Sequence, residues 1–405
     1  MKSYIPVAEA LKIILSHARP AKEELVKLED ALGRYLARDV AALHPNPPSD
    51  NSAMDGYGVR VSDVKAVPAT LKVAGSVFAG QAPGKPIRRG EAIEIMTGAP
   101  IPEGVDAVIP VEETERCGTD VMVLKKPEPR QHIRKKGEDY EKGDLLASRG
   151  TRLTPAHIAL MASAGRGGVK AFRKPKIAVL STGNELVEPG RPLGRGKIYE
   201  SNSFGICAQV EVSGGIPVKL KAAADDPAVL RKAVLEGLKQ DALVVSGGIS
   251  MGKADYLREV MEGLGARFHF VKVRQRPGNP MTFATIGRKP VFLLPGNPVS
   301  APLCFEIYVR GFLEAVLGNP GGSDDTMSCV MGETIRVKKG KTYFLRVVVK
   351  RSGKETAAFL TGPQGSGILT SMSRADGILV VPEGSEEITK GSVVAVRPFS
   401  WRTSC

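Results

Sequence analysis

Aromatic residues make up only 5% of this 405-residue chain, and it has a single tryptophan. Proteins that hold single-stranded nucleic acid interleave basic residues with aromatics on which bases stack. A formal net charge of +14 with a pI near 9.5 therefore points to anionic partners in general rather than to nucleic acid. The densest basic run, Lys125, Lys126, Arg130, Arg134, Lys135 and Lys136, reads as a solvated loop in preference to a nucleic-acid site. Cysteine is scarce as well. Cys117, Cys207, Cys304, Cys329 and Cys405 are scattered, odd in number and never in Cys-x-x-Cys spacing, which speaks for a reduced cytoplasmic protein without a structural zinc site. The five histidines, His17, His44, His132, His157 and His269, form no cluster, and no nucleophile-elbow sequence supports Ser-His-Asp catalysis. No stretch reaches the ~18 apolar residues of a membrane helix. Between Met1 and Arg19, Val7, Ala10, Leu11 and Ile14 recur at helical spacing in place of a signal-peptide run. Neither a Walker motif nor Gly-x-Gly-x-x-Gly occurs.

What is present is enough apolar residue, 42%, for several cores and two to four domains. The spacing predicts helices over Ile5–Ala18 and Leu25–Leu36, then short strands between Gly and Pro turns from about Val59 to Val123. Thr154 and Pro155 mark the start of another helix as N-cap and first helical residue.

From Lys174 strands alternate with helices. Apolar runs at Ile177–Leu180, Pro217–Lys221, Ala242–Val245 and Phe268–Val273 are separated by helical patterns at 203–212, 227–239 and 254–264. Such alternation implies right-handed crossovers and a mostly parallel sheet covered on both faces, with ligands beyond the carboxyl ends of its strands. Three strand ends carry unusual loops: Ser181-Thr182-Gly183-Asn184-Glu185, Ser246-Gly247-Gly248-Ile249-Ser250-Met251-Gly252, and Pro295-Gly296-Asn297-Pro298-Val299-Ser300, the last opening a helix to about Leu317. Glycines let backbone N–H groups approach an anion, and a following helix N-terminus adds positive potential. Three such turns in one sheet favour a phosphate-bearing ligand over loops that merely permit tight packing. Past Pro320, runs at 333–337, 343–350, 356–360, 378–381 and 393–398 alternate around Gly turns as a small β-barrel.

One further stretch, Pro47 to Arg60, is a loop by composition and sets Asp55 between Met54 and Gly56. A turn acid is ordinary alone. Opposite an anion-binding sheet edge, it can hold a cation or an activating water against a diphosphate.

Six stretches together resemble one family. They are Ser-Asp-Asn-Ser-Ala-Met-Asp-Gly-Tyr (49–57), Glu-Ile-Met-Thr-Gly-Ala-Pro-Ile-Pro-Glu-Gly-Val-Asp-Ala-Val-Ile-Pro (94–110), Arg-Lys-Lys-Gly-Glu-Asp (134–139), Ser-Thr-Gly-Asn-Glu-Leu (181–186), Ser-Gly-Gly-Ile-Ser-Met-Gly (246–252) and Leu-Pro-Gly-Asn-Pro-Val-Ser (294–300). Order and content resemble the molybdopterin molybdenumtransferases, relatives of the gephyrin E domain, across essentially the whole chain. The resemblance implies a multidomain α/β and β fold. Its parts are an elongated, mainly helical domain (1–26, 44–53 and 139–173), a β-rich domain (27–43 and 54–138), a central three-layer α/β domain with a mostly parallel sheet (174–322), and a C-terminal β-barrel (323–405). It also implies an enzyme that takes adenylylated molybdopterin and molybdate or tungstate, hydrolyses the bond to AMP with Mg²⁺ or another divalent cation, and leaves the metal on the pterin dithiolene. A homodimer with the active site at the subunit interface is a further implication.

Position by position, the resemblance implies Asp55, Asp139 and Glu185 as catalytic carboxylates, and Glu185, Asp225, Asp226 and Asp255 as residues near a metal, with Asp226 equally placed to cap the helix after it. Substrate contacts fall on Ser181, Thr182, Gly183, Ser246, Gly247, Gly248, Ser250, Gly252, Pro295, Gly296, Asn297 and Ser300. Lys272 and Arg276 flank a strand end. Arg346 with Ser366 resembles an oxyanion pocket, although Arg346 is also readable as a strand residue facing water. Lys253, Asn184 and Asn279 depart from the family pattern, where acids at 253 and 184 and a lysine at 279 are usual. Two rival readings stand beside this one: another pterin or nucleotide enzyme on the same sheet, such as an adenylyltransferase, and a dimeric scaffold of the gephyrin E type.

Overall fold

The computed structural model describes residues 2–248, 256–319, 326–352 and 355–402. The chain divides into two compact units, one of residues 1–24, 33–37 and 171–405, the other of residues 25–32 and 38–170.

The first unit is built on a seven-stranded sheet in the order Lys2–Ile5, Ala266–Val273, Thr282–Ile286, Lys289–Leu294, Ala242–Ser246, Lys176–Ser181, Ile216–Lys219. Its pairings are parallel except for the two that flank Thr282–Ile286, which are antiparallel. That antiparallel strand, absent from the sequence expectation, turns back through Gly287 at φ 57° into Lys289–Leu294, a hairpin too short to carry a crossover helix. Side chains of the central strands alternate between two cores. Ile177 and Val179 pack with Ile206, Val210 and Phe305, while Ala178 and Leu180 pack with Leu230, Val234 and Met261. Both faces are thus buried, as a strand of continuous apolar residues requires.

The helices Asn202–Val212 and Pro227–Gly237 lie where the periodicity placed them. The run after Pro298 is helical from Ser300 to Val316, interrupted by a π-turn over Phe305–Val309. In the last part of the unit, five strands close into a barrel: Thr342–Ser352, Glu355–Leu360, Met327–Met331, Val393–Pro398 and Gly377–Val381, the last pairing back onto the first. Its opening strand is Met327–Met331, and not the expected run at 333–337, where only Ile335–Arg336 pairs. Gly332 ends that strand against an aromatic ring, since a Cβ there would lie 2.2 Å from Phe359.

The expected helix over Leu25–Leu36 does not form. Glu23–Lys27 is a strand and Leu28–Asp30 one 3₁₀ turn. The leucine spacing imitates a helical stripe, but Leu25 and Leu32 are exposed; along Glu23–Lys27 and into Leu28 the buried residues are Val26 and Leu28, two apart, which is the period of a strand.

The second unit carries a six-stranded sheet in the order Ala107–Pro110, Gly56–Val59, Glu91–Ile95, Ala69–Val77, Asp120–Val123, Thr114–Cys117. Its helix Pro155–Ser163 begins at Thr154, whose side chain accepts from the His157 backbone in a capping box. Among the described residues no helix is long and apolar enough to cross a membrane.

Candidate functional site

At the carboxyl ends of Lys176–Ser181, Ala242–Ser246 and Lys289–Leu294, the three glycine-containing loops surround a cavity of about 770 Å³. From the first loop it takes Ser181, Thr182, Gly183 and Glu185, from the second Ser246, Gly247 and Gly248, and from the third Pro295, Gly296 and Asn297. Parallel register brings them level, with Ser181 beside Ser246 and Ser246 beside Leu294. Glycine is required where the loops touch. Gly247 has φ 97°, and a Cβ on it would meet the Thr182 carbonyl oxygen at 2.5 Å. Beside Gly183 the approach is by a carboxylate, whose Glu185 Oε1 would lie 2.5 Å from an added Cβ.

Asp225 lines the same cavity and is held by exchange with Asn184. The Asn184 N–H donates to Asp225 Oδ2 at 3.3 Å, and the Asp225 N–H donates to Asn184 Oδ1 at 3.1 Å. Asp226 does not line the cavity. Its Oδ1 accepts from the N–H groups of Ala228 and Val229 at 3.0 and 2.9 Å, so the N-cap reading of this residue is the one the structure shows. Ser250, Gly252 and Asp255, together with Lys253, lie outside the described residues.

A second cavity of about 210 Å³ adjoins the first through Pro280, Pro295 and Asn297, and is walled by Arg276, Ser300, Ser366 and Lys341. Among the described residues no acidic side chain lines it. Asn279 lines it too, with its side-chain N–H donating to the Val273 carbonyl at 2.9 Å. Arg346 is fully buried and supports the loop that carries Ser366. Its Nε donates to Ser371 Oγ at 3.1 Å and its Nη2 to the Gly365 carbonyl at 3.2 Å, while Nη1 has no partner among the described residues. Burial pulls this guanidinium down to about 10. The water-facing alternative for Arg346 is thereby excluded. Lys272, half-buried at φ 61° near the end of Ala266–Val273, lines neither cavity.

In the second unit Asp55 is exposed, and its Oδ1 accepts from both the N–H and the hydroxyl of Thr97. Asp139, also exposed, accepts from Asn46 Nδ2 at 2.9 Å and lines a cavity of about 480 Å³ with Arg134 and Glu138. Nearby Asp50 accepts from the Lys136 N–H and from Arg130 Nη2 at 2.8 Å each, contacts that hold its carboxyl below the usual range.

Sequence reasoning missed Glu200 and Asn202, which line the large cavity, and Lys341, which lines the small one. A polar Glu-Ser-Asn run just ahead of the 203–212 helical pattern was the available signal for the first two. Lys341 sits among Lys338, Lys339 and Gly340, and nothing in that run singles it out.

Among the described residues no three His, Cys, Asp or Glu side chains converge as a ready metal site. Glu185 and Asp225 nonetheless fit Mg²⁺ as it is commonly bound with phosphate substrates, through one or two carboxylates, the phosphate oxygens and water.

Comparison with known proteins bears on the whole chain. Residues 5–165 match the MoeA N-terminal region (domain I and II), 178–315 a probable molybdopterin binding domain, and 329–399 the MoeA C-terminal region (domain IV). Molybdopterin molybdenumtransferase 2 of Mycobacterium tuberculosis is 34% identical over 401 residues, covering 96% of this chain and 98% of that protein. This chain belongs to the molybdopterin molybdenumtransferase family. As a member it is an enzyme of molybdenum cofactor biosynthesis. Two crystal structures of molybdopterin biosynthesis MoeA protein from Pyrococcus horikoshii superpose with TM-scores of 0.83 and 0.84 at 35% and 28% identity, covering 99% and 98% of this family member and all of each of those chains.

Proposed function

We propose that this molybdenumtransferase-family enzyme inserts molybdate or tungstate into adenylylated molybdopterin, hydrolysing the bond to AMP and leaving the metal on the pterin dithiolene. The observation that carries the reading is the pairing of two cavities with unlike walls. The larger combines loop backbone and hydroxyls with the carboxylates of Glu185 and Asp225, beside the hydrogen-bonded Glu200, suited to a diphosphate and its cation. The smaller has Arg276, Lys341, hydroxyls and, among the described residues, no acid, suited to a tetrahedral oxyanion.

In this reading Ser181, Thr182, Ser246 and the loop backbone at 247–248 and 295–297 hold the diphosphate. Glu185 and Asp225 would hold Mg²⁺, which supplies Lewis-acid charge to the phosphate oxygens when bound. Ser300, Ser366 and Arg276 receive the oxyanion, with Arg346 holding the Ser366 loop from beneath. Asp55 and Asp139 are the remaining catalytic carboxylates. The reading carries with it a cytoplasmic homodimer with the active site at the subunit interface, and the four-domain division with an elongated N-terminal part and a three-layer centre. Family matches on both sides of the sheet region weigh against a free-standing adenylyltransferase, which needs only the sheet.

The test is to incubate purified protein with adenylylated molybdopterin, Mg²⁺ and either oxyanion, following AMP release and cofactor formation. AMP release that depends on oxyanion and on Mg²⁺ is expected. If neither oxyanion provokes it, the reading fails.

A further inference from the structure

The three loops of the large cavity are tied to one another by the residues that open the Asn202–Val212 helix. Glu200 is 2% exposed, and its carboxylate is filled by three donors. Oε1 accepts from Ser181 Oγ at 2.8 Å and from the Ser203 N–H at 2.7 Å, and Oε2 accepts from the Ser203 hydroxyl. The N-cap residue of this helix, Ser201, makes no side-chain capping bond. Glu200 therefore supplies the acid that a helix N-terminus favours, and in doing so fixes the helix to the end of Lys176–Ser181.

Asn202, the first residue of that helix, reaches the other two loops. Its Nδ2 donates to Ser246 Oγ at 2.9 Å and to the Gly296 carbonyl at 2.8 Å, and Ser246 Oγ in turn donates to the Pro295 carbonyl at 3.2 Å. Each hydrogen bond in such a chain polarises the next. Backbone pairing already links these loops at Thr182 N to Ser246 O and at Gly247 N to Leu294 O, but those bonds end where the strands end. Beyond them, the Asn202 amide joins the Ser246 and Gly296 turns beside the bond from Ser246 Oγ to the Pro295 carbonyl.

We infer that Asn202 is a positioning residue for the reaction, setting the separation of the 246–248 and 295–297 loops so that one phosphate meets both. Glu200 holds Asn202 in place from below. The inference rests on the functional reading above and adds a residue to its machinery. An amide suits the task because one NH₂ group donates in two directions, and a loop displaced by about 1 Å costs catalysis about 100-fold in favourable cases.

The test has an arm that needs no substrate. In Asn202→Ala, amide hydrogen exchange across 295–298 and 246–248 is expected to quicken relative to the wild type, while the helix 227–237 exchanges as before. In turnover, kcat/KM for adenylylated molybdopterin is expected to fall about 10- to 100-fold. Asn202→Ala combined with Ser246→Ala should lose little more than the worse single variant, since the two act in one chain. Unchanged loop exchange, an unchanged kcat/KM in a wild-type background that turns over, or fully additive losses each overturn the assignment. Wild-type protein that releases no AMP overturns the functional reading instead, and the exchange arm still decides whether Asn202 ties the loops.

Discussion

Thr97 donates twice to one oxygen of Asp55, from its hydroxyl and from its backbone N–H, at 2.6 Å each. The hydroxyl bond and then the backbone bond hold this carboxyl below its ordinary range, although the group is exposed. The residue that follows is fixed as tightly. A Cβ on Gly56 would lie 1.9 Å from the Ile109 carbonyl oxygen, so the chain leaves Asp55 in a single direction.

Asp55→Ala is expected to leave the fold intact, since an exposed turn side chain contributes little to a core, and to abolish AMP release. Thr97→Val removes the stronger of the two bonds. Because the folded pKa is depressed, the native carboxylate is stabilised above the ordinary range and loses that stabilisation as pH falls through the depressed value. Thr97→Val should therefore move the Asp55 titration, and the acid limb of the rate profile, to higher pH. Carboxyl-carbon NMR titration checks it, and an unmoved titration refutes the hydrogen-bond account.

Asp226→Ala should lower stability by about 1 kcal/mol, the usual cost of an N-cap, with the Mg²⁺ requirement of AMP release unchanged. Asp225→Ala and Glu185→Gln should do the reverse, raising the Mg²⁺ concentration at half-maximal rate while melting near the wild type. Thermal melts and Mg²⁺ titrations distinguish them; a shifted Mg²⁺ requirement in Asp226→Ala would return that residue to the metal set.

Lys341 lines the smaller cavity with Arg276. Replacing it by Met should raise the KM for molybdate about tenfold, the scale of one charge-assisted hydrogen bond, with affinity for AMP retained. Lys341→Arg, which keeps the charge, should recover most of the loss. Equal KM values in Lys341→Met and wild type would remove Lys341 from the site.

His269 packs against the His17 ring at a centroid distance of 4.1 Å and contacts Thr285 Oγ1 at 3.1 Å. Burial first, then the neighbouring His17 and Arg267, lower it to about 4. A histidine with a depressed folded value binds its proton more readily in the unfolded chain. Stability should therefore fall as pH drops from about 6.5, the ordinary histidine value, toward 4. In His269→Gln, melts across that interval should show a shallower decline, and a decline as steep as the wild type's would contradict the assignment.

Much of this chain was legible before any coordinates. The alternation after Lys174 specified a sheet with buried faces, because continuous apolar strands and 3.6-residue helical periods admit few other arrangements. Glycines after Leu180, Val245 and Leu294 marked the strand ends where backbone approaches an anion, and Ser181, Thr182, Glu185, Ser246 and Gly296 do meet around one cavity. Misreadings arose where short-range pattern competed with long-range pairing. Leu25, Leu28, Leu32 and Leu36 imitate a helix, yet Leu25 and Leu32 are exposed and the chain there forms a strand and one 3₁₀ turn.

The loop around Asp55 was marked by sequence alone, since prolines, small polar residues and glycine leave the backbone no regular element to join. Only tertiary structure decided that Thr97, 42 positions away, holds its charge, that Asp226 caps a helix while Asp225 faces the cavity, and that Asn202 ties two loops together. Local sequence fixes backbone conformation through sterics and hydrogen-bonding type. Which carboxylate meets a ligand and which meets a helix end depends on neighbours that only the completed fold brings within 3 Å.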